Sequence, residues 1–137
     1  MFRLKDIEEY LIGRGVSAKI SRARTPDYPV KNLTLTPTGG FAPELDGTLA
    51  RPTVQALSRG QSFDEAEALA QQVDRILLPA LHDLGDDPYP LLVGPPERRT
   101  RILMAGRVGG DPAPVNINQV TGHVTFSGNY WFVTERS

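Results

Sequence analysis

Pro52-Thr-Val-Gln-Ala-Leu-Ser-Arg-Gly60 runs through Gln61 into Ser62-Phe-Asp-Glu-Ala-Glu-Ala-Leu-Ala70, and this junction decides the fold. Thr53 to Arg59 reads as a strand, opened by Pro52 at the one end of a strand that tolerates proline. Gly60 turns the chain. Ser62 is the N-cap of a helix, and Glu65, three residues on, completes a capping box. Ala66, Leu69, Ala70, Val73, Ile76 and Leu77 then form one apolar stripe at the helical period. Glu67, Gln71, Gln72, Asp74 and Arg75 are expected on the solvent side. Pro79 ends the helix near Leu78, because proline disfavours helical backbone in the residue before it.

Upstream, Leu4 to Arg14 is a second amphipathic helix, with Leu4, Ile7 and Leu11 on one side. Asp6, Glu8 and Glu9 stand near its N-terminal end, where the helix dipole favours acids. A short extended piece follows at Ser17–Ile20, then the turn-rich Arg24-Thr-Pro-Asp-Tyr-Pro29. Lys31-Asn-Leu-Thr-Leu-Thr36 alternates as a half-buried strand, with Leu33 and Leu35 inward. From Pro37 to about Ala50 no period is visible, and loops of that length are usually functional or mobile.

Downstream, Gly85-Asp-Asp-Pro-Tyr-Pro90 is a loop and Arg101 to Val108 a strand. Gly109-Gly-Asp-Pro112 turns the chain, Val115 to Val120 is extended, and Thr121-Gly-His123 turns again. The last strand puts Val124, Phe126, Tyr130 and Phe132 on one face, with Gly128 there as a bulge. Thr125, Ser127, Asn129, Trp131 and Val133 lie opposite. Trp131 on that more polar face either seals a partner protein or lies beneath a helix. The whole is an α+β domain: two amphipathic helices on a mainly antiparallel sheet, in one domain spanning 1–137.

Composition narrows the function. The net charge is −1, from 15 basic and 16 acidic residues, so no global field draws the chain to nucleic acid or an anionic membrane. With no cysteine there is no disulfide framework, thiolate metal site or cysteine nucleophile. The charged N-terminus lacks a signal-peptide apolar run, and no stretch approaches the roughly 20 apolar residues of a membrane helix. A protein made in, and kept in, the cytoplasm is expected.

Chemistry-bearing residues are sparse. His82, Asp83, Asp86 and Asp87 cluster, but their spacing matches no metal loop, and Asp86-Asp87-Pro88 is turn chemistry. Gly106-Arg-Val-Gly-Gly110 follows a strand with no helix after it, so it reads as a hairpin turn rather than a phosphate cradle. Ser58, Ser62 and Ser127 sit in no nucleophile elbow, and His123 has no spaced acid to orient it. Arg98, Arg99, Arg101 and Arg107 form a basic patch without interleaved aromatics, which fits a solvated loop or a protein contact better than a nucleic-acid one. No enzyme activity, cofactor or metal is expected.

In order along the chain stand four features: the N-terminal helix with its extended piece; Pro26-Asp27, Leu33-Thr-Leu-Thr36 and Thr38-Gly-Gly40; the junction from Pro52 through the helix to Leu78; and Pro114, Thr121-Gly-His123 and Phe126-Ser-Gly-Asn-Tyr-Trp-Phe-Val133. Together they resemble the tail terminator (minor capsid or tail completion) proteins of long-tailed bacteriophages. The resemblance implies a lambda-like tail terminator fold and a non-enzymatic, structural role in the virion. Such a protein forms a ring, commonly a hexamer, at the head-proximal end of the tail tube. The ring stops tube polymerisation and offers the head-tail joining surface. Implied partners are copies of itself, the major tail tube protein and the head-completion (stopper) connector, with no membrane and no sequence-specific nucleic acid. The implied location is the tail at the head-tail junction, and the host cytoplasm during assembly. Loop length, charge and the aromatic placement make Phe41, Leu45, Asp46, Arg98, Arg99, Arg101 and Trp131 candidate interface residues. The competing reading is a small bacterial α+β domain that binds a protein or ligand in a non-viral role.

Overall fold

The computed structural model describes residues 3–22, 24–39, 49–79 and 89–135. Helix α1 spans Leu4–Gly13 and helix α2 Phe63–Leu77. The strands are β1 (Lys19–Arg22), β2 (Asn32–Pro37), β3 (Leu49–Ala50), β4 (Thr53–Gly60), β5 (Leu91–Val93), β6 (Thr100–Arg107), β7 (Ala113–Ile117) and β8 (Val124–Glu135). They form one eight-stranded sheet in the order β1-β2-β4-β8-β6-β5, with β3 and β7 also paired to β8. Every pairing is antiparallel except β1 with β2. The expected α+β architecture is thus present.

The β4–α2 junction forms as its sequence dictates. Ser62 Oγ accepts from the Glu65 amide at 3.2 Å. The return bond of the capping box is shifted by one residue: Glu65 Oε1 accepts from the Gln61 amide at 3.0 Å. Gly60 lets the strand end press on the helix, since a Cβ there would stand 2.6 Å from the Ala66 amide nitrogen.

Both helices cover one face of the sheet. Ile7 and Leu11 of α1 share a core with Leu69, Val73 and Leu77 of α2, Leu33 and Leu35 of β2, and Tyr130 and Phe132 of β8. Each large side chain fully buried in this way stabilises the fold by about 1.5–3 kcal/mol. A second cluster joins Ala66, Ala70, Val124 and Phe126, and the Phe63 ring meets Phe126 edge-on at 5.1 Å. The central strand β8 alternates without a break between buried and half-exposed side chains.

Three expectations need correction. Gly128 makes no bulge: it pairs in register with Ala56, and a Cβ there would crowd the Tyr130 hydroxyl at 2.8 Å. The register shifts fall instead between Ile102 and Met104 and between Pro114 and Asn116. Strand β2 is buried on both faces rather than half-buried, Asn32 and Thr34 included. The segment 24–31 accounts for this: the Thr25 and Thr34 hydroxyls meet at 2.8 Å, and Arg59 binds the segment's carbonyls. Finally, Asp74, expected on the wet side of α2, is buried, as is Asp6 of α1.

Candidate functional site

The two buried carboxylates explain where two of the four arginines go. Asp6 takes a forked pair from Arg98, Nη1 to Oδ2 at 3.1 Å and Nη2 to Oδ1 at 3.2 Å. Asp74 accepts from Arg107 Nε at 3.0 Å and Nη2, and from the Tyr130 hydroxyl at 2.9 Å. Arg107 also reaches Asp111 through Nη1 at 2.6 Å. Hydrogen bonding to these carboxylates raises the pKa of Arg98 and of Arg107. Burial first, then the nearby Asp74 charge, pushes the Tyr130 phenol well above its ordinary value. Each group is closed by its own partners, as in a structural brace. Beside the second lies a polar cleft of about 380 Å³ between α2 and the 108–112 turn, lined in part by Glu67, Gln71, Arg75 and Pro112.

The predicted arginine patch is therefore not one patch. Arg107 sits on the helix-covered face of the sheet and Arg98 turns inward to α1. Arg99 and Arg101 are exposed; Arg99 Nη1 donates to the Gly94 carbonyl at 2.6 Å, and Arg101 pairs with Glu135 at 3.1 Å.

The sheet face away from the helices is the surface the sequence left open between two readings. Register sets its rows: Leu92, Arg101 and Glu135; then Met104 and Val133; then Gly106, Trp131 and Thr53. Below them come Asn129 with Gln55 and Ser127 with Leu57. No described helix lies over these rows, so Trp131 is not a helix-covered residue. It is half-buried because its ring lies flat across Gly106, where a Cβ would overlap it. An aromatic laid over a strand glycine replaces the side-chain packing the glycine lacks.

At the other end of β8, β7 and the following turn make an arm. Every residue of β7 is exposed although it is paired to β8. Asn118 organises the tip: its Oδ1 accepts from the amides of Val120 and Thr121 at 3.0 and 3.1 Å, and its carbonyl from Gly122 at 2.8 Å. Val120 is held out at 94% exposure. The sequence showed the extended backbone here but not that the strand stands clear of the core.

Of the remaining candidates, Phe41, Leu45 and Asp46, with His82, Asp83, Asp86 and Asp87, lie outside the described residues. Among the described residues, no group of three or more metal-ligating side chains gathers, and no helix is long and apolar enough to cross a membrane. Ser58 is buried within β4, and His123 lines a shallow cleft with Thr25, Arg59 and Asn118.

The structure thus defines an α+β domain with helices on one side of its sheet, an opposite face covered at β2 by the 24–31 segment and elsewhere by no described helix, and an exposed strand arm. No protein-family model and no curated protein matches the sequence. Among solved structures, the fold is that of a chain in the virion of a native gene transfer agent particle. The TM-score is 0.62 at 13% identity, over 96% of this chain and 93% of the other. A second solved chain aligns over 93% of this chain and 88% of its own at 15% identity, with a TM-score of 0.48.

Proposed function

We propose that this chain is a structural protein of a phage-like virion, and that within the particle it is the tail terminator. On this reading it is a single domain that assembles into a ring, commonly of six, at the head-proximal end of the tail tube. The ring halts tube growth and presents the surface that receives the head-completion connector. Its partners are its own copies, the tail tube protein and that connector. It works in the virion at the head-tail junction after assembly in the host cytoplasm.

The observation that carries the reading is the fold shared, nearly end to end, with a chain of the gene transfer agent virion. The character of the molecule supports it. Its ionisable clusters brace the fold, and its uncommitted surface is a sheet face and a strand arm, features suited to packing against other proteins. Phe41, Leu45, Asp46, Arg99, Arg101 and Trp131 remain its candidate contact residues, with Arg98 acting through the placement of its neighbours.

Native mass spectrometry of the purified chain, alone and with tail tubes, tests this. A closed ring, or capping of tube ends that stops their elongation, is the expected result. A discrete dimer at all concentrations with no effect on tubes overturns it in favour of a non-viral binding domain.

A further inference from the structure

Two apolar surfaces of this chain stand open at opposite ends of β8. One is the arm, with Val115, Ile117 and Val120 exposed. The other is the strip Leu92, Met104, Trp131 and Val133 on the open face, where Leu92 and Met104 are each 50% exposed. From Thr125, beside the arm, to Val133, within the strip, the strand rises about 27 Å. One copy therefore cannot lay its own arm on its own strip.

Their charges are opposite. At the base of the arm, Asp111 and the buried Asp74 both bond Arg107, and Glu67 and Arg75 line the same cleft, so three carboxylates stand there against two guanidiniums, and Asp111 is 82% exposed. Exposed Asp64 adds to it, next to Phe63, whose ring meets Phe126 opposite Pro114. Beside the strip, Arg101 pairs with Glu135, and exposed Arg99, in a cleft with Leu92, Glu9 and Arg14, bonds the Gly94 carbonyl rather than a carboxylate.

The edges differ as well. Exposed strand edges are normally protected from pairing by charge. Strand β1 carries Lys19 and Arg22, whereas β7 (Ala113-Pro-Val-Asn-Ile117), like the edge strand β5, carries no charge and has only Pro114 to interrupt pairing. The tip turn holds Val120 outward through side-chain hydrogen bonds rather than letting it fold back.

We infer that the β7–β8 arm of one copy docks on the Leu92–Met104–Trp131–Val133 strip of the next, with Asp111 and Asp64 set against Arg99 and Arg101. The contact joins two different surfaces, so it is heterologous: repeated, it closes into a ring where the rotation permits. This deepens the terminator reading and rests on it for the ring, though the contact itself is defined by the two surfaces.

The chain has no cysteine, so single substitutions supply unique thiols. Val120→Cys and Met104→Cys are both at exposed positions. Under mild oxidation, a mixture of the two variants should form a mixed disulfide at least about tenfold faster than either alone, because docking holds the thiols at high effective concentration. Val120→Asp should lose self-association, read by native mass spectrometry, at an unchanged melting temperature. Equally fast disulfides within Val120→Cys alone, or within Met104→Cys alone, would mean like surfaces meet, and the inference falls. Assemblies that form without the mixed disulfide also overturn it while leaving the terminator reading intact. Neither assemblies nor disulfides at any concentration overturns it too, and the terminator reading is then judged by tube capping alone.

Discussion

Tyr130, in the middle of β8, donates its hydroxyl to Asp74 Oδ1 on α2 at 2.9 Å, deep between helix and sheet. The same carboxylate holds Arg107 of β6, so one buried acid ties three elements together. Tyr130→Phe removes a donor from a carboxylate that keeps its arginine. The expected cost is about 1–2 kcal/mol, measured by urea denaturation. Asp74→Ala leaves both the phenol and the guanidinium without their acceptor and should cost about 3 kcal/mol or more.

The same pair predicts a response to alkali. Burial and the adjacent Asp74 raise the folded-state pKa of Tyr130 above its ordinary 10.0. Such a group contributes stability in full below its unfolded pKa and loses it as the pH rises toward its folded one. Above pH 10 the unfolded chain releases the phenolic proton while the folded chain retains it. Stability should then fall by about 1.4 kcal/mol per pH unit for this one group. Tyr130→Phe should show a shallower decline over the same window, with Tyr89, also raised chiefly by burial, keeping its own share.

Trp131 and Gly106 predict a different signature. A methyl at position 106 overlaps the indole, so Gly106→Ala must lift the ring from the sheet at a cost of about 1–3 kcal/mol. Trp131 is the only tryptophan, so its fluorescence maximum should move to the red in that variant. Trp131→Ala instead bares Gly106 and should loosen the β6–β8 pairing by about 1 kcal/mol. An unshifted emission maximum in Gly106→Ala would count against the stacking.

How far the sequence discloses this molecule depends on the range of each signal. Strand β8 and helix α2 are legible because their patterns are local: strict alternation in one, a cap and a 3.6-residue stripe in the other. Asp6 and Asp74 are not, because their reasons for burial are Arg98 and Arg107, 92 and 33 residues away. Periodicity alone assigns such acids to the dipole or to solvent. The second buried face of β2 is hidden for the same reason, since it depends on the 24–31 segment folding back. Strand β5 has three residues beside a proline-rich loop, too short for a period to emerge. Among the candidate contact residues, the sequence placed Trp131 on the correct face, but only the register pairs it with Gly106. The arm was visible as extended chain, and its exposure was not.

Arg59 holds that returning segment. Its Nε donates to the Val30 carbonyl at 2.8 Å, and its Nη2 to those of Pro26 and Pro29 at 2.5 and 3.1 Å. A planar fork spans several acceptors at once, which a lysine ammonium cannot. Arg59→Lys should therefore behave as a loss, costing about 1–2 kcal/mol. Limited proteolysis with trypsin should show faster cleavage at Arg24 and Lys31. Cleavage at the wild-type rate would mean that the Thr25–Thr34 contact alone retains the segment.

The three neighbouring arginines should separate by phenotype. Arg98 is engaged with a fully buried acid, so Arg98→Ala strands Asp6 in the core and should lower the melting temperature, with any loss of assembly following from unfolding. Arg101 and Glu135 form an exposed pair, and such pairs contribute little to stability. Arg99 holds only a loop carbonyl. Arg99→Glu and Arg101→Glu should leave the melting temperature nearly unchanged while weakening self-association, and more so at low salt, where exposed charges are least screened. Thermal denaturation beside native mass spectrometry reads both properties on the same samples. If all three variants melt alike and assemble alike, the division between an inward brace and an outward contact is wrong. If Arg98→Ala fails to melt early, Asp6 has found another partner.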